Sequence, residues 1–307
     1  MKKNFAFMAF AKGQVSNEAV VAPKYIGVAP VSILAVNPNK TALEAIYGRT
    51  LDEEPTYVTE TKPDDNGKVY PSVRINFIVK TDAEKCNGID MTTGISFFIQ
   101  KRYRQGSNSG KYQIIDKYGR TAWATKAEIE AKQIPTYSNG PANIDADYRP
   151  CYVGEEELTS FLKNYMNIPN VQAYVNGAWV PNEKVNPDDC QARLENIDNY
   201  FKGDFKELSE IIACQPNNKV KVLFGVRTSD DNKQYQSVYT QMTLKNSATD
   251  YSRLDKDLQD RKSNGAYSTT EFEVCDLKEY TVEASNLETS VSGGDMPFEA
   301  SGEASPW

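Results

Sequence analysis

The chain predicts an α+β, β-rich fold with a helical insertion and a disordered acidic C-terminal tail, and three observations in its 307 residues carry that class. Apolar and polar residues alternate with a period of two over 73–80, 95–104, 219–227 and 235–245, the pattern of strands with one buried face. Between 155 and 213 the apolar spacing turns helical. From 279 to 307 there are six carboxylates and no Lys or Arg, a composition that buries too little to fold. The expected division is one β-rich domain over 1–283, with its helical insertion at 155–213, followed by the tail at 284–307.

The elements follow in order. The apolar run after Met1-Lys2-Lys3 is short and is followed at once by Lys12, so it reads as an opening strand rather than a signal peptide. Residues 24–36 are strand material broken at Pro30, and Asn37-Pro38-Asn39 turns the chain into a helix over 41–47 that Gly48 stops. The acidic, turn-rich stretch 50–68 ends in Asp64-Asp65-Asn66-Gly67 and reads as a loop or hairpin connection. A meander follows at 73–80, 95–104 and 111–123, the last with a turn at Tyr118-Gly119, and 135–153 looks irregular. From Glu155, the residues Leu158, Phe161, Leu162, Tyr165 and Met166 share one helical face. Glu155, Glu156 and Glu157 occupy the first turn, where the helix dipole favours them. Further helices are expected at 188–200, 205–213 and 252–262, strands at 219–227 and 235–245 joined by a hairpin loop at 229–232, and a final strand at 271–282.

Composition narrows the chemistry. Histidine is absent, which removes the usual general base, the nucleophile-histidine pairs and the commonest zinc ligand. The five cysteines stand singly, which points to free thiols in a reducing compartment. No run approaches the ~20 apolar residues of a membrane span, and neither a P-loop nor a dinucleotide fingerprint is present. No cofactor or metal is implied. Acidic pairs such as Asp64-Asp65, Asp188-Asp189 and Asp230-Asp231 fall in turn contexts.

The net charge of −7 hides an asymmetry: over 74–126 ten Lys or Arg face four acids. Alternation buries Val73, Ile75, Phe77, Val79, Ile95, Phe97 and Ile99, and turns Arg74, Lys80, Phe98, Arg102 and Arg104 outward. In the later hairpin Val220, Val222, Phe224, Val226, Val238, Met242 and Leu244 point inward, and Lys219, Lys221, Arg227, Tyr235, Tyr239 and Lys245 point outward. Lys101, Tyr103, Tyr112, Lys117, Tyr118, Arg120 and Trp123 complete the candidate set. Cations that replace counterions along phosphates, interleaved with rings on which unpaired bases stack, are what single-stranded nucleic acid requires. In Lys117-Tyr118-Gly119-Arg120 the glycine would let the backbone approach a phosphate while Arg120 forks onto it, or the segment is a plain hairpin turn.

Five segments, Lys24-Tyr-Ile-Gly-Val-Ala-Pro30, Ala35-Val-Asn-Pro-Asn-Lys40, Asp116-Lys-Tyr-Gly-Arg-Thr-Ala-Trp123, Arg149-Pro-Cys-Tyr-Val-Gly154 and Tyr200-Phe-Lys-Gly-Asp-Phe205, resemble the single-stranded DNA-binding proteins of crAss-like tailed phages, over most of residues 20–285. The resemblance implies an OB-like antiparallel barrel that coats single-stranded DNA during phage replication, recombination or repair in the cytoplasm of the infected bacterial host cell. It implies no enzymatic activity. Asp295-Met296-Pro297-Phe298 is similar to the acidic-Pro-Phe tip through which bacterial single-strand binders engage replication proteins, although here nine residues follow Phe298. The Cys/His zinc site of one group of phage single-strand binders is missing. Two other functions stay open at this point: a structural or packaged virion protein that does not bind DNA, and a magnesium-dependent nuclease.

Overall fold

The computed structural model describes residues 23–107, 110–132, 148–176, 178–186 and 189–281. The expected opening strand, the segment 133–147 and the acidic tail with Asp295, Met296, Pro297 and Phe298 lie outside the described residues. The fold is mixed α+β and strand-rich, with six α-helices among the described residues. Its main sheet has nine strands, and its central path takes in β1 (Lys24–Val36), β3 (Pro71–Thr81), β4 (Thr92–Tyr103), β8 (Tyr152–Val153), β11 (Val220–Thr228) and β12 (Gln234–Lys245). The order along that path is β12-β11-β1-β3-β4-β8, with every neighbouring pair antiparallel. Short strands β2 (Val58–Glu60), β13 (Thr270–Phe272) and β14 (Lys278–Tyr280) pair with β3, β11 and β1. The sheet curls into a half-barrel, so that β12 comes against β4, and helix α3 (Glu155–Tyr165) packs on both.

The inward set that alternation assigns to β3, β4 and β11 does line the inside: Val73, Ile75, Phe77, Ile95, Ile99, Val220, Val222 and Phe224 are completely buried. Into this concave face α3 inserts Leu158, Phe161, Leu162 and Tyr165, the stripe its helical spacing predicts. The Phe161 ring lies 4.9 Å from that of Phe77 and 5.1 Å from that of Phe97. Gly154 makes the entry to α3 possible: its φ is +85°, and a Cβ there would collide with the Phe98 carbonyl. Glu155, completely buried at the start of the helix, accepts two bonds from Arg149 (2.5 and 2.9 Å) and one from the Tyr152 amide.

Several expectations change. β1 runs unbroken through Pro30, because the Pro30 carbonyl accepts from the Asp82 amide just past the end of β3. A strand residue's N and O point the same way, so the missing N–H costs no bond to β11. The helix expected at 188–200 shrinks to α4 (Ile197–Tyr200); Cys190, Ala192, Arg193 and Leu194 are instead buried in an extended stretch, and the Ala192 and Arg193 amides donate to the Lys117 carbonyl. The segment 155–213 also holds a hairpin of β9 (Gln172–Val175) and β10 (Ala178–Pro181) beside α3, α4 and α5 (Lys206–Cys214). The final strand is two, β13 and β14.

Tyr239 is the largest reversal of a face assignment. Expected outward, it is completely buried with Val28, Leu223, Leu254, Leu258 and Phe272. Helix α6 (Ser252–Ser263) covers the convex side of β11 and β12, giving that corner of the sheet two buried faces, and Tyr239 donates its hydroxyl to Asp257 (2.5 Å). A smaller ribbon of β5 (Lys111–Ile115), β6 (Thr121–Thr125) and β7 (Arg149–Pro150) flanks the end of β4. Helices α1 (Lys40–Tyr47) and α2 (Lys126–Glu130) complete the set, α1 stopping at Gly48 in the left-handed conformation as expected. No helix among the described residues is long and apolar enough to cross a membrane. All five cysteines are free thiols.

Candidate nucleic-acid interface

An open trough of about 2620 Å³ runs between two parts of the half-barrel. Its lining comes on one side from β3, β4 and the loop after β4, and on the other from β12, the turn 229–233 and the loop 264–270. Consecutive residues line it at 100–107 and at 234–238, so residues from both faces of these stretches reach the groove. Small-molecule pockets measure ~300–1,000 Å³, so this space suits a polymer better than a metabolite.

Ten of the eighteen candidate residues meet in it: Arg74, Phe98, Lys101, Arg102, Tyr103, Arg104, Tyr112, Trp123, Arg227 and Tyr235. With Lys24, Arg49, Lys68, Lys233 and Arg261 the lining holds ten cations against four acids, Asp64, Glu157, Asp230 and Asp231. Two of those acids are engaged locally. Asp64 accepts from the Lys68 and Asn66 amides and the Tyr70 hydroxyl, which holds its carboxyl below the usual range. Asp231 is held at about 2 by its hydrogen bond from Lys233.

The cations sit on rings. The Arg102 guanidinium lies 5.2 Å from the centre of the Tyr70 ring, with Lys68 on the same ring at 4.7 Å, and Arg227 lies 5.5 Å from that of Tyr235. Among the described residues neither Arg102 nor Arg227 has a carboxylate within ion-pair distance. Tyr103 stacks on Tyr152 at 5.3 Å and 16°, yet stays 48% exposed, a ring fixed on one face and open on the other. Lys101 is tied to Asp198 (3.3 Å), and Arg104 to Glu156 (3.0 Å) and Glu157 (3.6 Å).

Within the trough's lining Arg74 lies over the Tyr57 ring at 5.4 Å, and burial lowers its guanidinium from the ordinary value. Burial also raises the Tyr57 phenol to about 12, against the opposing pull of Arg74, while its hydroxyl donates to the Pro38 carbonyl at 2.6 Å. A phenol raised in the folded state adds stability that is complete below the unfolded value of ~10 and is lost as pH climbs through the folded one. Thermal melts of wild type and Tyr57→Phe should therefore show a wild-type advantage at pH 8 that shrinks between pH 10 and 12; a constant gap contradicts this.

The other eight candidates are elsewhere. Lys80 pairs with Asp90 (3.0 Å) and Lys219 with Asp82 (2.5 Å). Lys221 donates to the Ala248 carbonyl and Tyr251, and Lys245 to the Ile168 carbonyl. Tyr239 is in the core. Lys117, Tyr118 and Arg120 form the second possibility weighed for their segment, a plain turn: Arg120 grips the buried Asp116 (2.6 Å), Tyr118 packs on the Ile168 cluster, and Gly119 faces Thr159 and Ala192. Sequence patterning missed Lys68 and Tyr70, which bracket the hairpin end after Asp64-Gly67, and Arg261 and Tyr267, which adjoin the end of α6. The lysine-aromatic alternation of Lys68-Val69-Tyr70 is a usable signal; Tyr267, with φ of +60°, carries none. No protein-family model, curated protein or solved structure matches the chain.

Proposed function

We propose that the protein binds single-stranded DNA non-catalytically along this trough, the half-barrel serving as an OB-like platform. The observation that supports it is the convergence, in one groove of polymer size, of ten cations with the exposed Tyr103 ring and the part-buried rings of Trp123 and Tyr235. Phosphates gain from the cations by counterion release, and unpaired bases gain ~1–3 kcal/mol each by stacking on rings. Most of the lining comes from strands and the loops that join them, which suits a flexible strand laid along a sheet.

Titration with oligo-dT, followed by tyrosine and tryptophan fluorescence, tests the proposal. Trp123 lies in the groove and should be quenched. Affinity should fall steeply with salt, with a slope near −0.7 per phosphate contacted on a log–log plot. Absence of quenching, or an affinity indifferent to salt, refutes the function.

A further inference from the structure

Of the aromatic side chains that line the trough, only Tyr103 is exposed among the described residues. The other rings there are wholly or partly buried, and several already carry a neighbour. Tyr70 has Lys68 and Arg102 near its ring, and Tyr235 has Arg227. Tyr103 is also held from behind. Strands β4 and β8 pair with a register shift between Gln100 and Tyr103, and past it Tyr103 stands directly opposite Tyr152. The two rings stack at 5.3 Å and 16°. Tyr152 is only 9% exposed, donates its hydroxyl to Asp198 (3.1 Å) and meets the Phe201 ring edge-on at 5.6 Å. Burial and the Asp198 carboxylate push its phenol up, so it stays protonated and remains a donor. Its backbone is fixed as well. The Tyr152 amide donates to Glu155 (2.9 Å), the Cys151 amide donates to the Gln113 carbonyl (2.8 Å), and the Cys151 carbonyl accepts from the Arg104 amide (3.0 Å).

A ring clamped on one face and open on the other is a preformed seat for one unpaired base. Little side-chain freedom has to be frozen when the base arrives, so more of the stacking free energy appears as affinity. Stacking strength rises with the overlapping ring area, and a purine has two fused rings where thymine has one. Cations answer phosphates and are blind to the base. A groove with many cations and one exposed ring therefore senses base size at one position.

We propose that Tyr103, positioned by Tyr152, stacks one base of the bound strand and prefers a purine there, so that the groove binds purine-containing strands more tightly than thymine-only ones. This rests on the function proposed above and narrows it: phosphate contacts supply affinity for any strand, and the tyrosine pair adds a preference for large bases. Tyr152 is a positioning residue, acting through Tyr103. The preference should be about threefold or more.

The experiment is fluorescence anisotropy with three labelled strands of equal length: all thymine, thymine with one central adenine, and thymine with one central 2′-deoxynebularine, a purine without exocyclic groups. Wild type should bind both purine strands about threefold or more tighter than the all-thymine strand. Tyr103→Ala should bring all three to one affinity, at least about fivefold below that of wild type for the thymine strand. Tyr152→Leu should erase the preference while leaving the log–log salt slope unchanged, and Tyr152→Phe, which keeps the stacked ring, should retain it. Equal affinity of wild type for all three strands overturns the inference and leaves the proposed function standing, whereas binding to none removes the function itself. A nebularine strand that binds like the thymine strand while the adenine strand binds more tightly means that exocyclic groups are read, and rejects stacking as the cause. Should Tyr152→Leu fail to melt as wild type does, Tyr103→Ala decides, because that side chain is exposed: a purine preference that survives it rejects the platform.

Discussion

Arg149→Ala should lower the free energy of unfolding by about 3–5 kcal/mol, read as a shift of the urea midpoint with the slope unchanged. Arg149 in β7 clamps Glu155 through both carboxylate oxygens and adds a bond to the Leu194 carbonyl at 2.9 Å. Three separate pieces of chain meet there: the β5–β7 ribbon, the first turn of α3 and the extended stretch before α4. With the guanidinium gone, Glu155 keeps the Tyr152 amide but is left as a completely buried carboxylate without a counter-charge. Removing one partner of a buried pair is far worse than removing both, so Arg149→Met with Glu155→Leu should cost clearly less than Arg149→Ala alone. A loss below about 1 kcal/mol for the single variant would show that α3 is seated by its apolar stripe and not by this pair.

The same pair shows what patterning can and cannot reveal. Strand β4 is legible because it has one face on the core, and the alternation of buried Ile95, Phe97 and Ile99 with half-buried Ser96, Phe98 and Gln100 records it, whereas on β3 Asn76 and Ile78 are buried along with Val73, Ile75 and Phe77. β12 is misread at Tyr239 because α6, distant in sequence from the β4 wall, covers its second face; a strand buried on both sides loses the alternation signal. The β9–β10 hairpin did leave a mark, Asn176-Gly177 between apolar residues, with Asn176 at φ +51° as a tight turn demands. The triplet Glu155-Glu156-Glu157 reads as an ordinary helix start, and dipole compensation is part of its role. That its members face Arg149, Arg104 and the groove respectively follows only from how the half-barrel closes around α3. Likewise the cations of the groove come from positions between Lys24 and Arg261, so no local window contains the site.

Arg102→Ala and Arg227→Ala should each weaken oligo-dT binding uniformly across sequences, and the double variant should lose the sum of the two effects. The two residues belong to different walls, β4 and β11, and each presents a guanidinium lying near a tyrosine ring and, among the described residues, outside any ion pair. A hydrogen bond to a charged group contributes ~1.5–3 kcal/mol, so each single substitution should raise Kd roughly tenfold or more at low salt. Each should also flatten the log–log salt slope by ~0.7, and the double by about twice that. Lys80→Ala is the internal control: Lys80 is paired with Asp90 outside the groove, so its removal should leave both affinity and slope near wild type. Additivity carries the geometric content, because it requires one strand to touch both walls at once. If Arg227→Ala binds like wild type while Arg102→Ala does not, the strand follows the β4 wall alone, and the groove between the walls is not its path.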